Sequence, residues 1–388
     1  MRWQIGICGD EHMGIKLGNI CRFQSGGTPA KGRPEFFNGT IPWITTTALN
    51  GGNIGKESAV DWICEQAIKE SAAKIVPAFS IMVGTRVGVG KVAINTISMS
   101  TSQDIVSLLD IDESIWSKAF LCKFLQAKGA FRNAQARGAT IKGIKIDVLS
   151  ELELPEIPIE EQQHISQIID KVKTTIAMRQ SQLQKLDELV KARFVEMFGE
   201  PLINTKGWGT RPIVEVAPIK PLHGNLSDKV WLLNLDAIES QTGNVLFKQR
   251  VRSAEINAST VYFTTENILY SKLRPYLNKV VMPDEDGIAT SELIPMCPQA
   301  DKLDRTYLCY WLRSDAFVKH ISEKVAGAKM PRVSMDYFRT MSIELPPIKL
   351  QEQFASFVEQ ADRSKAVVQK SLDKAQLLFD SLMQEYFG

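Results

Sequence analysis

The stretch Gly84-Thr85-Arg86-Val87-Gly88-Val89-Gly90-Lys91-Val92 holds the residue types of a phosphate cradle: glycines that let backbone N–H groups approach an anion, and a lysine to neutralise it. The spacing does not complete that chemistry. Gly84 stands one residue too early, and valine follows Lys91 where a hydroxyl has to reach magnesium. What remains is a glycine-rich turn between strands, with Arg86 and Lys91 carried on it.

Other reactions lack their parts as well. No Asp-x-Lys or Glu-x-Lys of a metal-dependent nuclease occurs, nor an Asn-Pro-Pro-Tyr-like element for holding a flipped adenine. His12, His164, His223 and His320 are scattered, with no HExxH and no serine elbow. Cys8, Cys21, Cys64, Cys122, Cys297 and Cys309 form no Cys-x-x-Cys pair and have no histidine at zinc spacing, so reduced, mostly buried thiols and no metal are expected. Chemistry, if the chain takes part in any, belongs to another subunit.

The formal charge is +2, with a pI near 8.1, which is low for binding nucleic acid by bulk attraction. A nucleic-acid partner therefore requires local concentration of cations. Lys118, Lys123, Lys128, Arg132, Arg137, Lys142 and Lys145 follow one another with no acidic residue between them. Such a run suits a solvated helix face equally well. No apolar stretch approaches the roughly 20 residues of a membrane span, and Met1 to His12, with Asp10 and Glu11, lacks the apolar core of a signal peptide. A cytoplasmic location is expected.

The elements that would position these residues come in duplicate. Pro158 to Gly199 aligns without a gap with Pro347 to Gly388: Pro158, Ile159, Gln162, Gln180, Leu183, Lys185, Glu196, Phe198 and Gly199 meet Pro347, Ile348, Gln351, Gln369, Leu372, Lys374, Glu385, Phe387 and Gly388. In the same register Thr101-Ser102 meets Thr290-Ser291, Gly138-Ala139 meets Gly327-Ala328, and Asp147 meets Asp336. Each half is one globular unit followed by one helix.

The apolar positions of both helices recur mostly every three or four residues. The first stripe includes Ile165, Val172, Leu183, Val190 and Phe194; the second includes Phe354, Ala361, Leu372, Phe379 and Leu382. Proline precedes each helix, and Gly199 with Pro201 stops the first. About 38 helical residues span roughly 57 Å, too long for a domain of this size to cover. Antiparallel pairing of the two stripes, relating the halves by a pseudo-twofold axis, satisfies both; ordinary long core helices are the plainer alternative.

These residues together resemble the specificity subunits of type I restriction-modification enzymes. Ser25-Gly26-Gly27-Thr28-Pro29 with Ile41-Pro42-Trp43-Ile44 is similar to the opening of that family's recognition domain. Gly138-Ala139-Thr140 leading to Pro158-Ile159-Glu160-Glu161-Gln162 is similar to its closing segment and the start of its spacer helix, and Gly327-Ala328 with Leu345-Pro346-Pro347-Ile348 and Gln351 repeats it. The second half departs from the opening: Ile219-Lys220-Pro221-Leu222-His223 stands in place of Gly-Gly-Thr-Pro.

The resemblance implies an α+β fold of two target recognition domains separated by two long antiparallel helices forming a coiled-coil spacer. Domains are expected at 1–157 and 200–346, and helices at 158–199 and 347–388. The implied partners are double-stranded DNA with a bipartite site, two methyltransferase subunits docked mainly on the helices, and restriction/translocase subunits. S-adenosylmethionine, ATP and magnesium would be bound by those partners and none by this chain, and the modification would be N6-adenine methylation.

Base edges are read by side chains on loops. The candidates are Lys31, Arg86, Lys91, Ser102, Gln103, Arg137, Thr140 and Lys142 in the first half, and Lys272, Arg274, Tyr276, Ser291, Lys329 and Arg332 in the second. Two rival readings are a scaffold whose two domains bind proteins rather than DNA, and an enzyme with unfamiliar motifs.

Overall fold

The computed structural model describes residues 14–135, 143–219, 228–253, 259–327 and 329–388, with backbone alone at 130–135. The chain divides into two compact units: Met1–Ala177 with Leu372–Gly388, and Met178–Ser371. Each takes its own helix-forming segments from both halves of the sequence.

In the first unit, the alternating short apolar runs become two sheets. One has four strands in the order Asp61–Ile63, Ile41–Ile44, Met99–Thr101, Ile75–Val76; its central pair is parallel, with Trp43 opposite Ser100, and its outer pairs are antiparallel. The other has five strands, in the order Arg22–Ser25, Ile105–Leu109, Ile81–Gly84, Val92–Asn95, Asn53–Ile54. Helix Lys118–Gln135 lays Phe120, Leu121, Phe124 and Leu125 against Ile81, Val83, Val92 and Leu108. All of these side chains are buried, so a helix stripe and a sheet face together exclude water over a continuous area.

The second unit repeats the design. Its four-stranded sheet runs Gln249–Arg252, Lys229–Leu233, Gly287–Thr290, Thr260–Phe263, again with a parallel central pair, Trp231 opposite Gly287. Its second sheet keeps Val280–Val281, Ile268–Ser271 and Leu293–Met296. Two shorter helices, Arg305–Arg313 and Asp315–Ser322, stand where the first unit has one. Caps account for the break: Asp304 accepts the N–H groups of Thr306 (2.7 Å) and Tyr307 (2.9 Å), and Ser314 starts the next helix by accepting from Phe317 (3.2 Å). In both units an antiparallel strand pair closes the base, Ile15–Lys16 with Glu153–Leu154 and Thr210–Pro212 with Ser342–Glu344.

The two long helices are Ile159–Phe198 and Ile348–Phe387, 40 residues each. The predicted boundaries were one residue outside these. Glu160 and Glu161 occupy the first turn of the first helix, where the dipole favours carboxylates, and Gly199 ends it at φ +82°, a left-handed conformation that spares a side chain the clash. Within each unit the helices pack antiparallel. In the first unit Ile165 and Ile169 share a core with Leu382 and Phe387, and Lys173 lies over the Phe379 ring. In the second, Phe194 meets Phe354 edge-on at 5.4 Å, and about two to three turns further along Asp187 pairs with Lys365 at 2.7 Å.

Of the expected seam, Ile165, Val190, Phe194, Phe354, Ala361 and Leu382 are buried; Val172, Leu183, Leu372 and Phe379 are half-buried. Free thiols stand at Cys21, Cys64, Cys122, Cys297 and Cys309, the second, third and fifth being half-exposed, buried and buried respectively. No helix among the described residues is long and apolar enough to cross a membrane.

Candidate nucleic-acid interface

The glycine-rich stretch is a turn between antiparallel strands. Ile81–Gly84 enters it and Val92–Asn95 leaves, with Gly84 N–H donating to Lys91 O at 2.8 Å and Lys91 N–H to Gly88 O at 3.0 Å. Gly88 (φ +65°) and Gly90 (φ +83°) supply the left-handed positions. Gly90 also lies against Gly129 of helix Lys118–Gln135, so close that a Cβ on Gly90 would sit 2.6 Å from the Gly129 Cα. On the other flank, Ile144 N–H donates to Thr85 O at 2.6 Å. The turn is thereby held by a helix and by a returning segment.

This framework holds Arg86 and Lys91 exposed, and among the described residues neither is paired with a carboxylate. Gln103 is tied alongside: Thr85 N–H donates to the carbonyl of its neighbour Asp104 at 2.8 Å, and the Thr28 hydroxyl donates to Gln103 itself. Lys31 is exposed on the turn three residues past Thr28. Ser102 requires correction as a contact residue. It is 3% exposed, because the chain at Gly26 and Gly27 crosses the end of strand Met99–Thr101 so tightly that a Cβ on Gly26 would lie 2.3 Å from Ser102 O. Gly27 N–H donates to Thr101 O, and its carbonyl accepts from the Trp43 indole at 3.1 Å. The Gly-Gly-Thr-Pro element thus builds the support under Gln103. Arg137, Thr140 and Lys142 lie outside the described residues.

The basic run is less uniform than its sequence. Lys118 pairs with Glu113 at 2.6 Å, and Lys123, buried, pairs with Asp170 at 2.9 Å. Burial, then the nearby Lys123 charge, lowers the Lys173 pKa. Lys128, next to the Gly129–Gly90 contact, and Lys145, next to Ile144, remain beside the turn.

In the second unit the matching turn, after strand Ile268–Ser271, gathers several candidates onto one ribbon. Arg274 N–H donates to Pro331 O at 2.8 Å, Val333 N–H to Lys272 O at 2.9 Å, and Lys272 N–H to Glu292 O at 3.0 Å. Arg274 is exposed in the left-handed region at φ +50°, and Tyr276 is also exposed. Ser291, half-buried, donates its N–H to Ser259 O. Lys329 is exposed between strands Val325–Ala326 and Arg332–Val333. Arg332 differs from the other candidates because its guanidinium grips Glu292, with Nη2 at 2.9 Å from Oε1 and Nε at 3.2 Å from Oε2. That carboxylate was not anticipated; nothing in the spacing of Glu292 and Arg332 signals their meeting. Val87 is exposed at the centre of the first turn, and its apolar type gives no sign of that in the sequence. Lys220, Pro221, Leu222 and His223, the departure from the opening motif, lie outside the described residues.

What such turns can do is bind a polyanion and probe the edges of bases: exposed, unneutralised cations supply the first and rigidly held side chains the second. Among the described residues no group of histidine, cysteine and carboxylate side chains has the arrangement of a metal site.

Comparison with known proteins gives the same direction. Residues 10–188 match the family described as the type I restriction modification DNA specificity domain. The EcoR124I/EcoR124II specificity subunit of Escherichia coli is 32% identical over 165 residues, 41% of this chain and 40% of that protein, so the match spans two-fifths of that relative's length. The MjaIX specificity subunit of Methanocaldococcus jannaschii is 22% identical over 377 residues, covering 89% of this chain and 85% of that one. A chain solved in work on complex assembly and conformational transition of the type I R-M system superposes with a TM-score of 0.63 at 14% identity, covering 96% of both chains. The type I S subunit from M. genitalium gives 0.52, also at 14% identity, over 96% of this chain and 95% of that one. The two structural likenesses establish the fold.

Proposed function

We propose, from the premise that this chain is a homologue of the type I restriction-modification specificity subunits, that it is the DNA-reading subunit of such a complex. Each unit reads one part of a bipartite site. Two methyltransferase subunits dock chiefly along the long helices, and restriction/translocase subunits complete the assembly in the cytoplasm. N6-adenine methylation with S-adenosylmethionine and ATP- and magnesium-dependent cleavage belong to those partners; this chain is non-catalytic and holds no cofactor.

The observation that carries this reading is that one sheet design, with its parallel central pair, is built twice, and at the same turn of each copy an exposed arginine is presented, Arg86 and Arg274. Two diverged copies of one reader suit a site of two different halves. Phosphate contacts by the lysines fix register, and arginine or glutamine bridging guanine or adenine supplies sequence selection.

The test is DNA binding by the complex assembled with its methyltransferase partners. Affinity should fall linearly with salt on logarithmic axes and should favour a two-part sequence identified by methylation-sensitive sequencing. Binding that is absent or indifferent to salt would instead support a protein-binding scaffold. Methyl transfer by the purified chain alone would refute its non-catalytic role.

A further inference from the structure

We propose that Val87 and Tyr276 are base-discriminating residues, each making the apolar contact to a thymine methyl in its own half-site. The inference rests on the DNA-reading function above and deepens it, naming side chains that select bases as distinct from those that hold phosphates.

Exposure alone is no argument, since single apolar residues on a surface are ordinary. The company and the rigidity of these two are the argument. Val87 is 63% exposed between Arg86 and Gly88, on a turn pinned by the Gly90–Gly129 contact and the Ile144-to-Thr85 hydrogen bond. The cations around it, Arg86 and Lys91, have no carboxylate partner among the described residues. Tyr276 is 47% exposed on the corresponding turn, two residues after Arg274. That turn is fastened too: Gln241 Nε2 donates to Tyr276 O at 3.0 Å, Gln241 N–H to Leu277 O at 2.9 Å, and Asn278 Nδ2 to Arg313 O at 3.0 Å.

The two turns share almost no sequence, yet both hold one exposed apolar side chain beside an exposed arginine. In the major groove the thymine C5 methyl is the apolar feature that distinguishes a base pair, and a β-branched or aromatic side chain on a stiff support matches it. Lysine at the same tip meets phosphate, which adds affinity without sequence information.

The experiment uses the complex with its methyltransferase subunits and a library randomised across the site, reading base preference at each position and affinity against salt. Val87→Ser should lower the preference at one A·T position of one half-site by about fivefold to tenfold, leaving the salt slope unchanged. Tyr276→Ser should do the same in the other half-site. Lys91→Gln should instead weaken all sequences alike and reduce the slope by about one. Where Val87→Ser fails to assemble, Val87→Asn, which removes both methyls and is readily accepted in a turn, replaces it. If the parent complex discriminates and these variants keep its preference at every position, or if both alter the same half-site, this inference is overturned while the DNA-reading function stands. A parent complex with no sequence preference overturns the DNA-reading function itself.

Discussion

Gln351 accepts the backbone N–H of Asp304 on its Oε1 at 2.8 Å, so the first turn of the second long helix is bonded to the residue that caps helix Arg305–Arg313. Its Nε2 donates to Lys302 O (3.1 Å) and Pro346 O (2.7 Å), and the side chain is fully buried. Gln162 repeats the arrangement in the first unit, accepting from Ser117 N–H at 2.9 Å and donating to Ile115 O and Ile157 O. The duplicated Pro-Ile-x-x-Gln element is thus a three-point fastening of long helix to the globular part of its unit.

Replacing Gln351 by leucine should therefore destabilise the chain by about 3 kcal/mol, because the part-buried Asp304 N–H and Lys302 carbonyl and the buried Pro346 carbonyl lose their partner. Gln162→Leu should cost a similar amount. Urea unfolding of the full chain measures both, and a loss below about 0.5 kcal/mol would show that water replaces the amide.

The first domain and the second should be exchangeable independently. Exchanging Gly207 to Ile343 for the equivalent segment of a relative should change one half of the recognised site. Ile343 sits in the strand pair that closes the base of the second unit, so the exchange carries Arg211 with Ile343 and Pro212 with Ser342 and leaves only Glu344, opposite Thr210, to the parent chain. Methylation-sensitive sequencing reads the outcome, and a change in both halves would show that the domains do not read separately.

If the helices set the unread gap, four residues inserted after Gln180 should lengthen the first by roughly 6 Å. At about 3.4 Å per base pair the preferred gap should grow by one or two base pairs, with half-site sequences unchanged. Arg179 and Gln180 interrupt the apolar stripe, which makes this the tolerant place. A stable, active complex with an unchanged gap would assign the distance to the partner subunits.

Thiol reactivity should separate the cysteines. Burial pushes the Cys122 thiol up to about 12 and raises that of Cys309, so neither supplies thiolate near pH 8. Iodoacetamide should leave both unmodified in the native chain and modify them after denaturation, as peptide mapping would record. Equal rates in the two states would mean that these positions are open to solvent.

The long helices were legible because apolar spacing, the leading prolines and Gly199 all act within a few residues along the chain. The repeat was legible for the same reason. The parallel pairings Trp43–Ser100 and Trp231–Gly287 were not, since strands of a few residues carry no signal of a partner more than fifty positions away. Ser102 was misread because Thr101-Ser102 looks like a polar loop, whereas the crossing of Gly26 and Gly27 buries it. The matched glutamines stood out as a repeat, but their burial depends on carbonyls contributed by other segments.

The rings of Phe120 and Phe387 lie 5.2 Å apart and tilted by 54°, and Phe124 meets the same ring edge-on, so part of the first unit's core is supplied by Leu372–Gly388. During synthesis, Met1–Ala177 emerges long before that segment exists. At about 5–20 residues per second the wait is on the order of ten seconds or more, with a sticky apolar surface uncovered meanwhile. Early folding of this unit is therefore incomplete by construction, and nascent chains should depend on a chaperone or on low expression temperature until the last helix arrives.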